Sequence, residues 1–305
     1  LLNHRTIREF KQTPVPPQQL EKLLSVAKRT ATSTGMQTFS IIHITSPELK
    51  EQISEVCKQK YVARMPELFI FIADAYRNYR IAQAQGLDNE AARDSDRFFQ
   101  GWTDACLAAQ NMVDAAEISG FGTVFLGSIW NDAPKMIELL HLPELTFPVV
   151  GVGLGIADQA PQLKPRMPKE ANIFDNSYTV FDDYMALMKD YDAEMAQYYD
   201  LRDANRRVDC FTLQVVKKLQ GVLPNRQHLI QQAEAQGHAP HVLVPEQLAQ
   251  GKGTLIVVDG FRLSLEIHAL VPDVVGIRPD IVGIVFDPEK GGRAEDDDHH
   301  AHDGA

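Results

Sequence analysis

Cysteine is scarce in this chain of 305 residues: Cys57, Cys106 and Cys210 lie far apart, and three fits neither a disulfide framework nor a zinc site. They are read as reduced and structural. Positive charge is also in deficit. A formal net charge of −11 argues against nucleic acid as a partner, because phosphate contacts need a basic face. No run approaches the ~18 apolar residues of a membrane span, and no charged-then-apolar leader opens the sequence, so no membrane association is expected and the cytoplasm is the default location. Neither a serine nucleophile elbow nor H-E-x-x-H is present, which leaves hydrolase chemistry without support. "GVGLG" (151–155) has the wrong spacing for a dinucleotide turn and no helix pattern after it, and "GKGT" (251–254) lacks the upstream glycine of a phosphate-cradling loop.

What is present is enough apolar sequence, 44% of residues, for one large core or two modest ones. Residues 1 to about 237 alternate helical patterns with short apolar runs, as a mixed α/β chain does. "QLEKLLSVAKRTA" (19–31) has helical spacing at Leu20, Leu23, Leu24 and Ala27. Strands are predicted at 39–45, 67–75, 122–128 and 147–157, each β-branched or aromatic and bounded by turn residues. A helix is predicted to end in "WTDACLAAQNMVDAAEISG" (102–120), with Ala105, Ala108, Met112, Ala115 and Ser119 on one small-residue face and Gly120 as its C-cap. That face suits a core helix or a subunit interface equally.

Residues 238–305 differ in composition. They hold twelve acidic and five basic residues, −7 of the net charge, and six of the ten histidines. Strand-like runs at 253–260, 263–271 and 280–287 are separated by Pro272 and Pro279, and no fold is assigned to them. The terminal "AEDDDHHAHDGA" offers His299, His300 and His302 to a metal, but its composition is that of solvated low-complexity sequence. Disorder is expected over 291–305, and no metal site is assigned.

Against this acidic background, "NHRTIREF" (3–10) places His4, Arg5 and Arg8 within five positions. A local cation cluster suits a small anion. Cations recur in "LKPRMP" (163–168), where Pro165 stiffens the backbone and the i, i+2 spacing points Lys164 and Arg166 the same way. Arginine meets phosphate oxygens in a bidentate fork and lysine supplies a point charge, so the two clusters are candidates to converge on one ligand.

"HRTIREF", "ATSTGMQTFSIIHIT", "CKQKYVARMPELFIFIADAYR", "AAQNMVDAAEISGFGTVFLGS", "GVGLGIADQAPQLKPRMP" and "YYDLRDANRR" stand in an order that resembles the nitroreductase family, in particular its NADPH-dependent flavin reductases and major oxygen-insensitive nitroreductases. The resemblance covers residues 1 to about 237. It implies an α+β three-layer fold, a central, mainly antiparallel sheet flanked by helices, an intertwined homodimer with a C-terminal arm at about 185–237, and two FMN sites at the dimer interface.

By that resemblance His4, Arg5 and Thr6 hold the FMN phosphate with Arg166, while Arg8 and Lys164 lie nearer the pyrimidine side of the ring. A cation there stabilises the charge that two-electron reduction leaves over N1 and the C2 carbonyl. Thr32, Ser33 and Gln59 match polar FMN contacts. In the segment Phe125, Leu126, Gly127 and Ser128, the glycine lets backbone approach the ring closely enough for an N–H to reach N5. Arg202 is matched to the NADPH 2′-phosphate, with Arg206 and Arg207 assisting, and Arg226 to the substrate pocket. No protein group is named as catalytic, because hydride chemistry belongs to the cofactor.

The implied reaction is ping-pong: NADPH reduces FMN, then a nitroaromatic, quinone, azo compound or free flavin takes its place. Family members carry a helix ahead of the "HR" motif, whereas only Leu1, Leu2 and Asn3 precede His4, so the N-terminus is read as incomplete. The alternative function is a flavin- or partner-binding protein with little turnover, regulated or blocked by the extension after residue 237.

Overall fold

The computed structural model describes residues 1–87, 90–202, 210–221 and 223–238. Its centre is a four-stranded antiparallel sheet in the order β1-β2-β4-β3, with β1 Phe39–Ile44, β2 Glu67–Asp74, β3 Gly122–Leu126 and β4 Thr146–Gly155. All four runs expected to be strands form them. β2 is buried along its whole length, and the alternation of its side chains explains the architecture. Phe69, Phe71 and Ala73 enter one core with Leu23 and Ala27 of α1 (Pro17–Lys28) and the inner face of α4 (Ser95–Ile118). Leu68, Ile70 and Ile72 enter the other with Ile53 and Val56 of α2 (Pro47–Cys57) and Met136 of α5 (Ala133–Leu139). Successive side chains of a strand face opposite ways, so one all-apolar strand organises a helix–sheet–helix sandwich. Burying each large side chain contributes roughly 1.5–3 kcal/mol before chain entropy is counted.

The pairing of β2 with β4 slips between Phe71 and Ile72, which face Val150 and Pro148, leaving Val149 as the extra residue of a bulge. Pro148 has no N–H for the ladder, and a bulge is where a sheet tolerates that.

α4 begins at Ser95, where Asp94 caps it by accepting from the Asp96 N–H at 2.9 Å. Its buried stripe is Ala105, Ala108, Ala109, Met112, Val113 and Ala116. Ala115 is half-buried and Ser119 exposed, so the packing face is rotated from the expected one. Cys57 is buried, Cys106 is exposed on α4 and Cys210 is half-buried; all three are free thiols. The burial of Cys57 suits a structural role, while the exposure of Cys106 does not.

α3 (Tyr76–Ala84) follows β2, and α6 (Tyr184–Arg202) pairs with α7 (Phe211–Leu219) through Met188, Tyr191 and Phe211. α8 (Leu229–Ala235) packs beside α5, with Ala233 joining Phe98, Ala133 and Phe147 in a small core. Among the described residues no helix is long and apolar enough to cross a membrane. The expectations for residues 239–305, and those for Arg206 and Arg207, fall outside the described residues.

Candidate cofactor site

The site is built where the N-terminal segment is stitched to the sheet edge. Ile7 and Phe10 are buried anchors. The Ile7 N–H donates to the Thr123 carbonyl of β3 at 2.8 Å, the Lys11 N–H to Ile156 at 2.9 Å, and the Asp158 N–H back to Glu9 at 2.9 Å. One extended segment therefore bridges β3 and the chain leaving β4. It holds residues 4–8 against the loop that carries Lys164 and Arg166.

The two cation clusters do converge. His4, Arg5, Thr6 and Arg8 line one cavity of about 610 Å³ with Lys164 and Arg166. That volume is typical of a small-molecule site. His4 is oriented by Nδ1 lying 2.6 Å from Glu117 Oε1, and Glu117 also accepts from Thr123 Oγ1 at 2.6 Å. Among the described residues the Arg5 side chain has no polar partner. The Arg166 guanidinium donates to the Lys164 and Pro165 carbonyls at 2.8 and 3.2 Å, which folds it over its own loop. Glu9 shares the cavity, but Arg64 holds both its oxygens at 3.0 Å, so its charge is already matched.

Sequence reasoning missed Tyr61, Gln159, Gln162 and Tyr198 in the wall. Tyr61 stands two residues beyond Gln59 and was locally findable; Tyr198 comes from distant α6. Burial raises the Tyr61 hydroxyl above its ordinary range, and Arg8 beside it opposes that shift. Tyr61 remains a neutral donor at neutral pH.

The other expected contacts lie outside the wall of this cavity. Gln59 is outside its wall but accepts at one oxygen from Tyr61 Oη, 2.8 Å, and from Ser128 Oγ, 3.0 Å. Phe125 is partly exposed, whereas Leu126 is buried in the core, so only its backbone is available to a ligand. A Cβ added at Gly127 would meet nothing within 4 Å, so the strand end opens onto free space. Thr32 and Ser33 do not line the cavity. Their loop is held by fully buried Asp104, which accepts from the Ser33 N–H at 2.8 Å and from the Thr38 N–H and hydroxyl at 3.1 and 2.8 Å. Arg226, expected in a substrate pocket, is not in this wall either: it donates to the Gly127 carbonyl at 2.8 Å and to Asn131 Oδ1 at 2.9 and 3.2 Å. Arg202 ends α6.

The structure is thus a helix–sheet–helix α+β chain whose N-terminal and 164–166 cations line one cavity. The chain belongs to the nitroreductase family: the family's own pattern matches residues 1–156, and the family's C-terminal domain matches 164–240. It is 36% identical over 219 residues to an NADPH-dependent oxidoreductase of Staphylococcus saprophyticus, covering 70% of this chain and 87% of that one. To the FMN reductase (NADPH) of Bacillus subtilis it is 34% identical over 219 residues, 71% and 88% of the two chains. Among solved structures, the NfrA1 nitroreductase from B. subtilis superposes with a TM-score of 0.73 at 32% identity, over 77% of this chain and 96% of that one. The NADPH:FMN oxidoreductase from Vibrio harveyi complexed with NAD+ gives 0.67 at 28% identity, over 77% and 95%.

Proposed function

We propose that the protein is an NADPH-dependent FMN oxidoreductase. The observation that carries this reading is the convergence of His4, Arg5, Arg8, Lys164 and Arg166 on one cavity in a chain of net charge −11. An acidic protein that gathers cations from two clusters far apart in its sequence selects an anion. The residues present fit FMN. Arginines and a histidine suit its phosphate, and the open space over Gly127 admits a ring to within contact of backbone that any side chain would cover.

In this reading His4, Arg5, Thr6 and Arg166 hold the phosphate. Glu117 fixes the His4 ring, and the Ile7–Thr123 bond fixes the backbone of the segment. Arg8 and Lys164 supply positive charge beside the ring, and the Phe125–Ser128 strand end presents backbone to it. FMN, when bound, supplies the two-electron exchange between NADPH and an acceptor in a ping-pong sequence. Arg202 receives the 2′-phosphate of NADPH, with Arg206 and Arg207 assisting. The acceptors are flat and electron-poor: nitroaromatics, quinones, azo compounds or free flavin.

The working unit is a homodimer. Thr32 and Ser33 lie outside the cavity within a single chain, and a second copy supplies them when the site forms at an interface. Ile173, Tyr178, Val180 and Met185 expose apolar surface in one segment, as a segment that packs on another protein chain does. The family domain ends at about residue 237, the rest is an extension, and the protein works in the cytoplasm.

The test is spectroscopic. The purified protein should show the two absorption bands of oxidised flavin, and anaerobic NADPH should bleach them. A colourless protein that takes up no FMN on reconstitution would overturn the proposal.

A further inference from the structure

The segment between α7 and α8 reaches back to the strand end at the site. Arg226 engages this turn at two acceptors, the Gly127 carbonyl and Asn131 Oδ1, using Nε and Nη2. Its neighbour Asn225 donates to the Asn131 carbonyl at 2.8 Å. The guanidinium carbon stands 6.0 Å from the centre of the Trp130 ring, and Trp130 is itself fixed by its indole N–H on the Pro148 carbonyl at 3.0 Å. On the far side, Asn131 donates to the Cys57 carbonyl at 3.2 Å, tying the turn to the end of α2. Each bond is modest alone; together they tie residues 127–131 to three separate stretches of the chain, at residues 225–226, Pro148 and Cys57.

We propose that Arg226 is a positioning residue: it clamps the Gly127–Asn131 turn, and Ser128, Gln59 and Tyr61 couple that turn to the cation cavity. The coupling is a continuous set of contacts. Ser128 and Tyr61 donate to the same Gln59 oxygen, and Tyr61 lines the cavity beside Arg8. The clamp needs arginine, because a planar fork reaches two acceptors at fixed angles and an ammonium does not. The geometry commits Nε and Nη2 to the turn, and it is through these two donors that Arg226 acts on the site. The inference rests on the reading above that this turn faces FMN, and it gives the C-terminal segment a share in setting the site.

The test compares the full chain with Arg226→Lys and Arg226→Gln. With flavin removed, amide hydrogen exchange over 126–132 should speed up about tenfold or more in Arg226→Gln, the factor expected when a charge-assisted bond of ~1.4 kcal/mol is lost, and less in Arg226→Lys. Exchange in β2 should not change. With FMN bound, kcat should fall about tenfold to a hundredfold, as for a small misplacement of reacting groups, while the KM for NADPH stays within about twofold. The flavin midpoint potential should move in the same order, Gln more than Lys.

Unchanged exchange over 126–132 overturns the proposal. So does faster exchange with kcat and potential unmoved, and so does a raised KM for the acceptor at constant kcat, which would make Arg226 a direct binder. A wild-type protein that takes up no FMN would defeat the flavin reading, and the exchange measurement would still decide whether Arg226 holds the turn.

Discussion

Tyr61 and Ser128 donate to the same side-chain oxygen, Gln59 Oε1, at 2.8 and 3.0 Å. One residue of the strand-end turn and one of the cavity wall are thus referenced to a single atom. Replacing Gln59 by Leu removes that acceptor and leaves two half-buried hydroxyls to find others. The expected loss is about 1–3 kcal/mol in urea unfolding. Gln59→Glu keeps the acceptor and should lose less; equal losses would show that the amide's shape matters rather than its oxygen.

Arg5 lines the cavity with no polar partner among the described residues, so its charge is available to a ligand. Arg5→Ala should weaken FMN about tenfold to a hundredfold, the loss of a charge-assisted contact of roughly 1.5–3 kcal/mol. Riboflavin, which lacks the phosphate, should bind the parent weakly and be indifferent to the substitution. Calorimetric titration of both flavins decides this, and equal affinity for the two would remove the phosphate assignment.

Asp104 is fully buried and accepts three hydrogen bonds from the loop that carries Ser33 and Thr38. Asp104→Ala would leave two backbone N–H groups and a hydroxyl unmatched, at a cost of about 3 kcal/mol or more. Residues 32–38 should become the first site of proteolytic cleavage. A variant as stable and as resistant as the parent would mean that the loop finds other partners.

In the proposed function Arg202 receives the NADPH 2′-phosphate. Arg202→Ala should raise the apparent KM for NADPH about tenfold or more, in line with loss of one charge-assisted contact, while FMN content and the NADH reaction stay nearly unchanged. An equal loss with both nucleotides would exclude the assignment.

His238 is 2% exposed, packs 4.7 Å from the Phe98 ring, and has no hydrogen-bond partner at either ring nitrogen among the described residues. Burial, with Arg93 nearby adding repulsion, lowers its pKa to about 4. The unfolded chain, with an ordinary histidine near 6.5, then binds more protons than the folded one across that interval. Stability from this site is therefore complete above about pH 6.5 and declines as the pH falls toward 4, by roughly 2–4 kcal/mol in all. Arg93 is itself paired with Glu144 at 3.0 Å. His238→Phe should flatten this slope in unfolding experiments run from pH 7 to pH 4; an unaltered slope would place its origin elsewhere.

The strands, and much of the site chemistry, were legible in the sequence because they depend on neighbours along the chain. "ELFIFIAD" is apolar at both alternating sets of positions, which forces a strand covered on both faces. The anion-binding residue types also stood in two short clusters, His4 to Arg8 and Lys164 to Arg166. The start of α4 was not legible, since Asp94 as a cap is informative only once the helix behind it has formed. Nor was the face of α4, where alanines occur on several sides and packing against β2 decides which are buried.

Tertiary structure alone decided that the two cation clusters share a cavity, that Tyr198 joins them from α6, and that Arg226 grips the Gly127 turn from ninety-nine residues away. Such contacts carry no local periodicity. They arise because the Ile7–Thr123 and Asp158–Glu9 backbone bonds tie the N-terminal segment to the sheet edge, and because the end of β3 leaves a carbonyl that a distant guanidinium can reach. Residue types set what the site can bind; the closure of the chain onto its own sheet set which of them meet.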